Sequence, residues 1–226
     1  MIAGNSFDYP YVHGKAFANE GYSFISCSRD AVTDLTVNLN DYKIVDFIMG
    51  KQIKTLVGRG VHPPKYEVFP RELQLAINAY TANGGNIIVS GANIATDIWD
   101  SINMDKESKQ FANKTLKYQW RTNYASKTGE VKSAPSPYPF ESNFSFYTIP
   151  NEFSYCVETP DGIEPVVGSD AWTIFRYADN NISAGVAYKG IYSSVALGFP
   201  IEALKSDEEI DSLIKMILKF FETDVK

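Results

Sequence analysis

The chain has 226 residues, 44% hydrophobic and 14% aromatic, enough to bury one sizeable core and to exclude disorder as its default state. A net charge of −6 and a pI near 5.0, with no basic stripe, argue against a phosphate-binding surface, so no nucleic-acid partner is expected. The most apolar runs, Ile44 to Met49 and Ile87 to Val89, fall far short of the ~20 residues of a membrane span.

In chain order, Met1 runs directly into Ile2-Ala3-Gly4-Asn5 without the charged and apolar regions of a secretion signal, and Ile2 to Ser6 reads as the remnant of a strand. The expectation is one domain over residues 1–226, excised from a larger protein. Pro10 to Glu20 has helical character, with Val12, Ala16 and Phe17 near one face and Gly21 as its stop. Tyr22 to Cys27 reads as a second strand, Ser28 as the cap of a short helical turn, and Tyr42 to Met49 as a third strand interrupted by Lys43 and Asp46. Lys51 to Pro70, with Gly58, Gly60, Pro63 and Pro64, reads as a loop of a length that is often functional or mobile. Arg71 to Asn83 places Leu73, Ala76, Ile77 and Tyr80 at helical spacing and closes at Gly84.

The next stretch, Gly84 to Asp100 (GGNIIVSGANIATDIWD), organises the rest. Ile87-Ile88-Val89 predicts a buried strand of a parallel α/β sheet, and Ser90-Gly91-Ala92-Asn93 a tight turn toward another helix. Ligands and catalytic groups collect at such strand ends. Ser101 to Leu116 is expected to be helical in part. Tyr118 to Tyr124, Phe144 to Ile149, Trp172 to Tyr177, Ile182 to Tyr188 and Ser194 to Leu197 read as strands, with Asp179-Asn180-Asn181 as a hairpin turn. The second half therefore adds antiparallel structure to a mainly parallel sheet. Ala134 to Phe140 is a proline-rich loop. Ser206 and Glu209 have capping-box spacing ahead of an apolar stripe from Ile210 to Phe221, which packs a final helix on the sheet.

The order strand, helix, strand, strand, helix, then NIIVSGANIATD, resembles the class I glutamine amidotransferase-like fold, a flavodoxin-like sheet with helices on both faces. More specifically, AGNSFDYPYVHGKAF, GYSFISCSRDAV, DYKIVDFIMGKQ, GGNIIVSGANIATDIWD and SSVALGFPIEAL resemble a domain of large secreted Bacteroidetes proteins labelled putative xanthan lyase, which carry golvesin-like and fibronectin type III modules. The resemblance implies an extracytoplasmic location, with polysaccharide and the neighbouring domains of the same polypeptide as partners.

An active amidotransferase of this kind is expected to place a nucleophilic cysteine in the turn after the organising strand, with a late histidine as its base. This chain has Ser90, Gly91, Ala92 and Asn93 there, and its histidines are His13 and His62. Ser90 lacks the G-x-S-x-G frame of a nucleophile elbow and reads as a small turn residue whose hydroxyl bonds the backbone. Cys27 reads as a buried strand end and His13 as a helix-surface or capping residue. Asp46, a carboxylate in an apolar strand, requires a hydrogen-bonding partner, and a neighbouring backbone group is the default. Two cysteines, Cys27 and Cys156, allow one disulfide and read as free buried thiols.

Asp97, Asp100, Asp105 and Glu107 could serve glycan cleavage, but carboxylates opening a helix also favour its positive end, and no metal or cofactor is expected. Trp99, Trp120, Trp172, Tyr138 and Phe140 offer faces for sugar rings, with Tyr138 and Phe140 in the proline-rich loop foremost. The candidate ligand-facing residues are thus Ser90, Gly91, Asn93, Asp97, Trp99, Tyr138 and Phe140. The expected function is a catalytically inactive scaffold or glycan-facing module; the alternative is a polysaccharide lyase or hydrolase using carboxylates near the carboxyl ends of the parallel strands.

Overall fold

The computed structural model describes residues 8–99, 105–138, 140–153 and 155–223; the expected strand at Ile2 to Ser6, together with Asp100 and Pro139, lies outside them. Helix α1 (Tyr9–Asn19) opens with Pro10 in its first turn and buries Ala16 and Phe17. Residues 22–28 then carry the chain to α2 (Arg29–Thr33), whose cap is Ser28, accepting from the Ala31 N–H. The strand expected at Tyr22 to Cys27 does not form. Only Tyr22 packs against the core; Phe24 at 49% and Ile25 at 60% stay exposed, and Cys27 is an exposed free thiol rather than a buried one. Alternating apolar residues make a strand only beside a partner, and among the described residues none pairs with this segment.

Strand β1 (Ile44–Gly50) is followed by β2 (Thr55–Val57) and β3 (His62–Lys65), a hairpin inside the stretch expected to be loop. Helix α3 (Arg71–Ala82) leads to β4 (Asn86–Gly91), a short turn α4 (Thr96–Trp99) and α5 (Lys106–Phe111). Past α5 the chain widens into a π-helical turn, Ala112–Leu116, closed by Lys117 at φ 64. Then come β5 (Tyr118–Thr122), β6 (Glu130–Ser133), β7 (Phe144–Ser145), β8 (Gly162–Pro165), β9 (Ala171–Tyr177), β10 (Ser183–Lys189) and β11 (Ser193–Leu197). Helix α6 (Asp207–Glu222) closes the chain. Ser206 accepts from the Glu209 N–H as its spacing predicts, while the Glu209 carboxylate reaches back to the Lys205 N–H at 3.0 Å.

The main sheet has the order β1-β4-β11-β10-β9-β6-β7. Two of its six pairings, β1 with β4 and β4 with β11, are parallel; the other four are antiparallel. The fold is mixed α/β, and the expectation of a mainly parallel sheet is corrected. A parallel pair needs a long crossover, which α3 supplies between β1 and β4, whereas the turns at Asp179 to Asn181 and Gly190 to Tyr192 leave room only for strands that reverse.

Period-two alternation sends β4 into two cores. Ile88 joins Val195, Leu197, Phe175 and the α1 and α6 side chains Phe17, Ile210, Leu213 and Ile217 on one face. Ile87 and Val89 join Leu73, Ile77 and Tyr80 of α3 and Phe111 of α5 on the other. On the first face Lys189 is buried and donates to the Phe220 and Phe221 carbonyls, satisfying the end of α6. No helix among the described residues is long and apolar enough to cross a membrane.

Candidate functional site

The turn after β4 is packed solid. Ser90 is wholly buried between Ile48 of β1 and Leu197 of β11, and Ile94 and Ala95 are wholly buried beyond it. A side chain at Gly91 would meet Met49 Cβ at 2.8 Å and the Gly50 carbonyl at 3.0 Å, so only glycine lets β4 run this close to β1. The Ser90 hydroxyl makes no hydrogen bond, which corrects the expectation that it bonds the backbone. Among the described residues no base bonds it, and it has no exposed surface for a substrate.

Asn93 and Asp97 tie this turn to the β2–β3 hairpin. The Asn93 amide donates to the Lys51 and Gln52 carbonyls at 3.2 and 3.3 Å. Asp97 accepts from the Val68 N–H at 2.9 Å through one oxygen and from the Lys54 N–H through the other. The two amides are the entry and exit of the hairpin, so a single carboxylate closes its base. Burial lifts the Asp97 pKa, and the two N–H donors, which favour the ionised form, hold that rise back. The cavity beside it, lined by Lys54, Glu67, Phe69, Asp105 and Ser108, measures about 10 Å3, room for about one water and none for a sugar.

A carboxylate that sequence reasoning missed completes this end of the sheet. Asp161, fully buried before β8, accepts from the Ala95 N–H at 2.7 Å, the Thr96 N–H at 3.0 Å and the Thr96 hydroxyl. Trp120 Nε1 donates to the same Thr96 oxygen at 3.0 Å. Burial pushes the Asp161 pKa up to about 7, against the pull of those donors. Adjacent N–H groups after a strand are the donors an oxyanion would use, and here an internal side chain occupies them.

The other expected acids are spent locally. Asp105 caps α5, accepting from Glu107 N, Ser108 N and the Ser108 hydroxyl, and that hydroxyl leads in holding its pKa below the usual range. Glu107 pairs with Arg71 at 3.0 Å. Among the described residues no group of three His, Cys, Asp or Glu converges as metal ligands would.

The aromatic candidates divide between the two faces. Trp99 is half-buried, 6.3 Å from Tyr118 with the Lys109 ammonium 5.8 Å from its ring. Tyr138 is half-buried, edge-on to Trp172 and Phe220 at 5.5 and 4.8 Å. Phe140 is 2% exposed and packs on Phe175 and Phe220, so it belongs to the core and is corrected as a ligand-facing residue. The structure therefore gathers Ser90, Gly91, Asn93, Asp97 and Trp99 around the end of β4, while Tyr138 and Phe140 stand with α6 on the opposite face.

The first face also holds a buried ionic chain. His13 Nδ1 bonds Asp46 at 2.6 Å, Nε2 bonds Glu202 at 3.1 Å, and the Tyr155 hydroxyl donates to Glu202 at 2.6 Å. His13 is 2% exposed, a correction to its expected place on the helix surface. Burial opposes its charge, but Asp46 by charge and hydrogen bond, helped by Glu202, holds its pKa up to about 10. Asp46 does have the partner its position demanded, an imidazole 33 residues away rather than a neighbouring backbone group.

No family model matches the chain, and no curated protein matches it. Among solved structures, the mmIFT52 N-terminal domain is similar over 94% of this chain and 90% of its own, with a TM-score of 0.53 at 11% identity. At that identity the likeness is one of fold.

Proposed function

We propose that this chain is a non-catalytic, amidotransferase-like scaffold domain of a larger extracytoplasmic, polysaccharide-related protein. The observation that carries it is the turn after β4, where Ser90 is sealed and Asp161 already occupies the Ala95 and Thr96 N–H groups. Acyl transfer needs a reachable nucleophile with a base beside it and free donors for the oxyanion; among the described residues Ser90 is wholly buried with no hydrogen-bonded base, and the paired Ala95 and Thr96 N–H groups are already taken. The amidotransferase-like likeness and the location are drawn from the sequence resemblance. The mmIFT52 neighbour is, by its name, itself the N-terminal domain of a longer protein, which fits a role beside other modules.

The test is to incubate the purified chain with glutamine and, separately, with a panel of acidic and neutral polysaccharides including xanthan. Ammonia release and reducing-end or unsaturated-uronate formation are then measured, and the same glycans are cast in gels for affinity electrophoresis. Turnover of any of them would overturn the scaffold reading. Retardation without turnover, lost on Trp99→Ala or Tyr138→Ala, would assign the glycan-facing form of the role.

A further inference from the structure

Among the described residues the β2–β3 hairpin is a two-stranded sheet on its own, joined to no other strand. Such ribbons are marginal in water unless a third strand or a packed face supports them. Here the apolar side chains are left outside: Leu56 is 65% exposed, Val61 80% and Tyr66 62%. Yet the hairpin is not loosely attached. Asp97 holds both ends of it, Lys54 pairs with Glu67 at 2.7 Å across its base, and the Gln52 amide donates to the Glu67 carbonyl at 2.8 Å. Its tip is shaped as well: Gly58 sits at φ +57 with the His62 ring where a Cβ would lie, 2.8 Å from Cδ2. An ordered base carrying an uncovered apolar ribbon is what a preorganised docking element requires.

Charge narrows the occupant. From Lys51 to Tyr66 the sequence has Lys51, Lys54, Arg59 and Lys65 and no acidic residue, in a chain whose net charge is −6. Lys51 and Lys54 are paired with Glu158 and Glu67; Arg59 and Lys65 stand outside the ion pairs of the described residues. Backbone chemistry narrows the side of approach. Pro63 and Pro64 deprive β3 of two N–H donors, so β2 is the edge able to accept another strand. We infer that the β2–β3 hairpin is a docking arm that takes an extended, acidic segment of a partner protein as a third strand along β2. Main-chain hydrogen bonds supply the pairing, Leu56, Val61 and Tyr66 the apolar contact, and Arg59 and Lys65 the selection for acidic side chains. This goes beyond the scaffold role and holds whether or not the domain turns out to bind a glycan.

The test uses the whole chain, 15N-labelled, titrated with a blocked peptide of Val-Glu repeats and with its Val-Lys counterpart. Amide shifts confined to residues 53–66 with the acidic peptide, new exchange protection along β2, and roughly tenfold weaker binding by the exposed-site variant Arg59→Glu/Lys65→Glu are expected. Arg59→Gln/Lys65→Gln, which removes charge without reversing it, should fall between the two. Equal shifts with both peptides, or shifts elsewhere on the domain, would overturn the inference. So would co-sedimentation with phosphatidylglycerol vesicles without any peptide response, which would assign the same arm to a lipid surface.

Discussion

His13 in α1 and Asp46 in β1 are joined at 2.6 Å, a bond that fastens a helix to the outer parallel strand and is extended by Glu202 and Tyr155 toward the β11–α6 connection. Removing one member of a buried ionic group leaves the others uncompensated, so His13→Ala should cost about 3 kcal/mol or more of unfolding free energy. The pH dependence has a definite sign. The folded pKa, about 10, lies above the ordinary histidine value of 6.5, so the stabilisation is complete below about pH 6.5 and is lost as pH rises through about 10. Urea unfolding of wild type and His13→Asn from pH 6 to pH 10.5 should show the stability gap closing. A gap that stays constant would mean that the imidazolium contributes nothing.

Asp161 behaves in the same direction at lower pH. Its folded pKa, about 7, lies above the ordinary aspartate value near 3.9, so its favourable contribution is complete below about pH 4 and is lost as pH rises through about 7. Asp161→Asn keeps an oxygen for the Ala95 and Thr96 N–H groups and carries no charge. Between pH 4 and pH 8, thermal unfolding should move in favour of the asparagine variant relative to wild type. An unchanged difference would mean that Asp161 is ionised throughout.

The closure of the hairpin by Asp97 predicts a local effect. Asp97→Ala strands the Lys54 and Val68 N–H groups, each a hydrogen bond to a carboxylate, at a cost of about 1–3 kcal/mol apiece at most. Hydrogen exchange at Lys54, Val68 and the hairpin should accelerate while Ile87, Ile88 and Val89 in β4 keep their protection. Uniform loss across β4 would show Asp97 to be a support of the whole core rather than of the arm.

Thiol chemistry reports on the sealed turn. Cys27 is exposed, whereas Cys156 is buried with its thiol donating to Glu158 at 3.2 Å, and burial leads in raising its pKa. Native iodoacetamide should therefore label Cys27 first, with Cys156 slow. Ser90→Cys puts a thiol into the sealed end of β4, and it should add no fast-labelling site. Rapid modification of that thiol would show that the turn opens to solvent.

The sequence by itself determined the elements whose causes are local. The stripe from Ile210 to Phe221 and the Ser206 cap specified α6; Leu73, Ile77 and Tyr80 specified α3; the Ile87-Ile88-Val89 run and the small turn after it specified β4 and its elbow. These follow from periodicity and capping within a dozen residues. The tertiary structure alone decided the rest, because it depends on which distant groups meet. Short returns made the sheet mostly antiparallel, and the absence of a partner among the described residues left residues 22–28 outside it. Asp46 signalled that it needed a partner, but His13 and Glu202 could be found only once α1 and the β11–α6 connection were laid over β1. In the same way Asp97, which resembled a ligand-facing acid at a strand end, proved to be a clasp, because the Lys54 and Val68 amides are brought to its two oxygens by a hairpin that no periodicity marks.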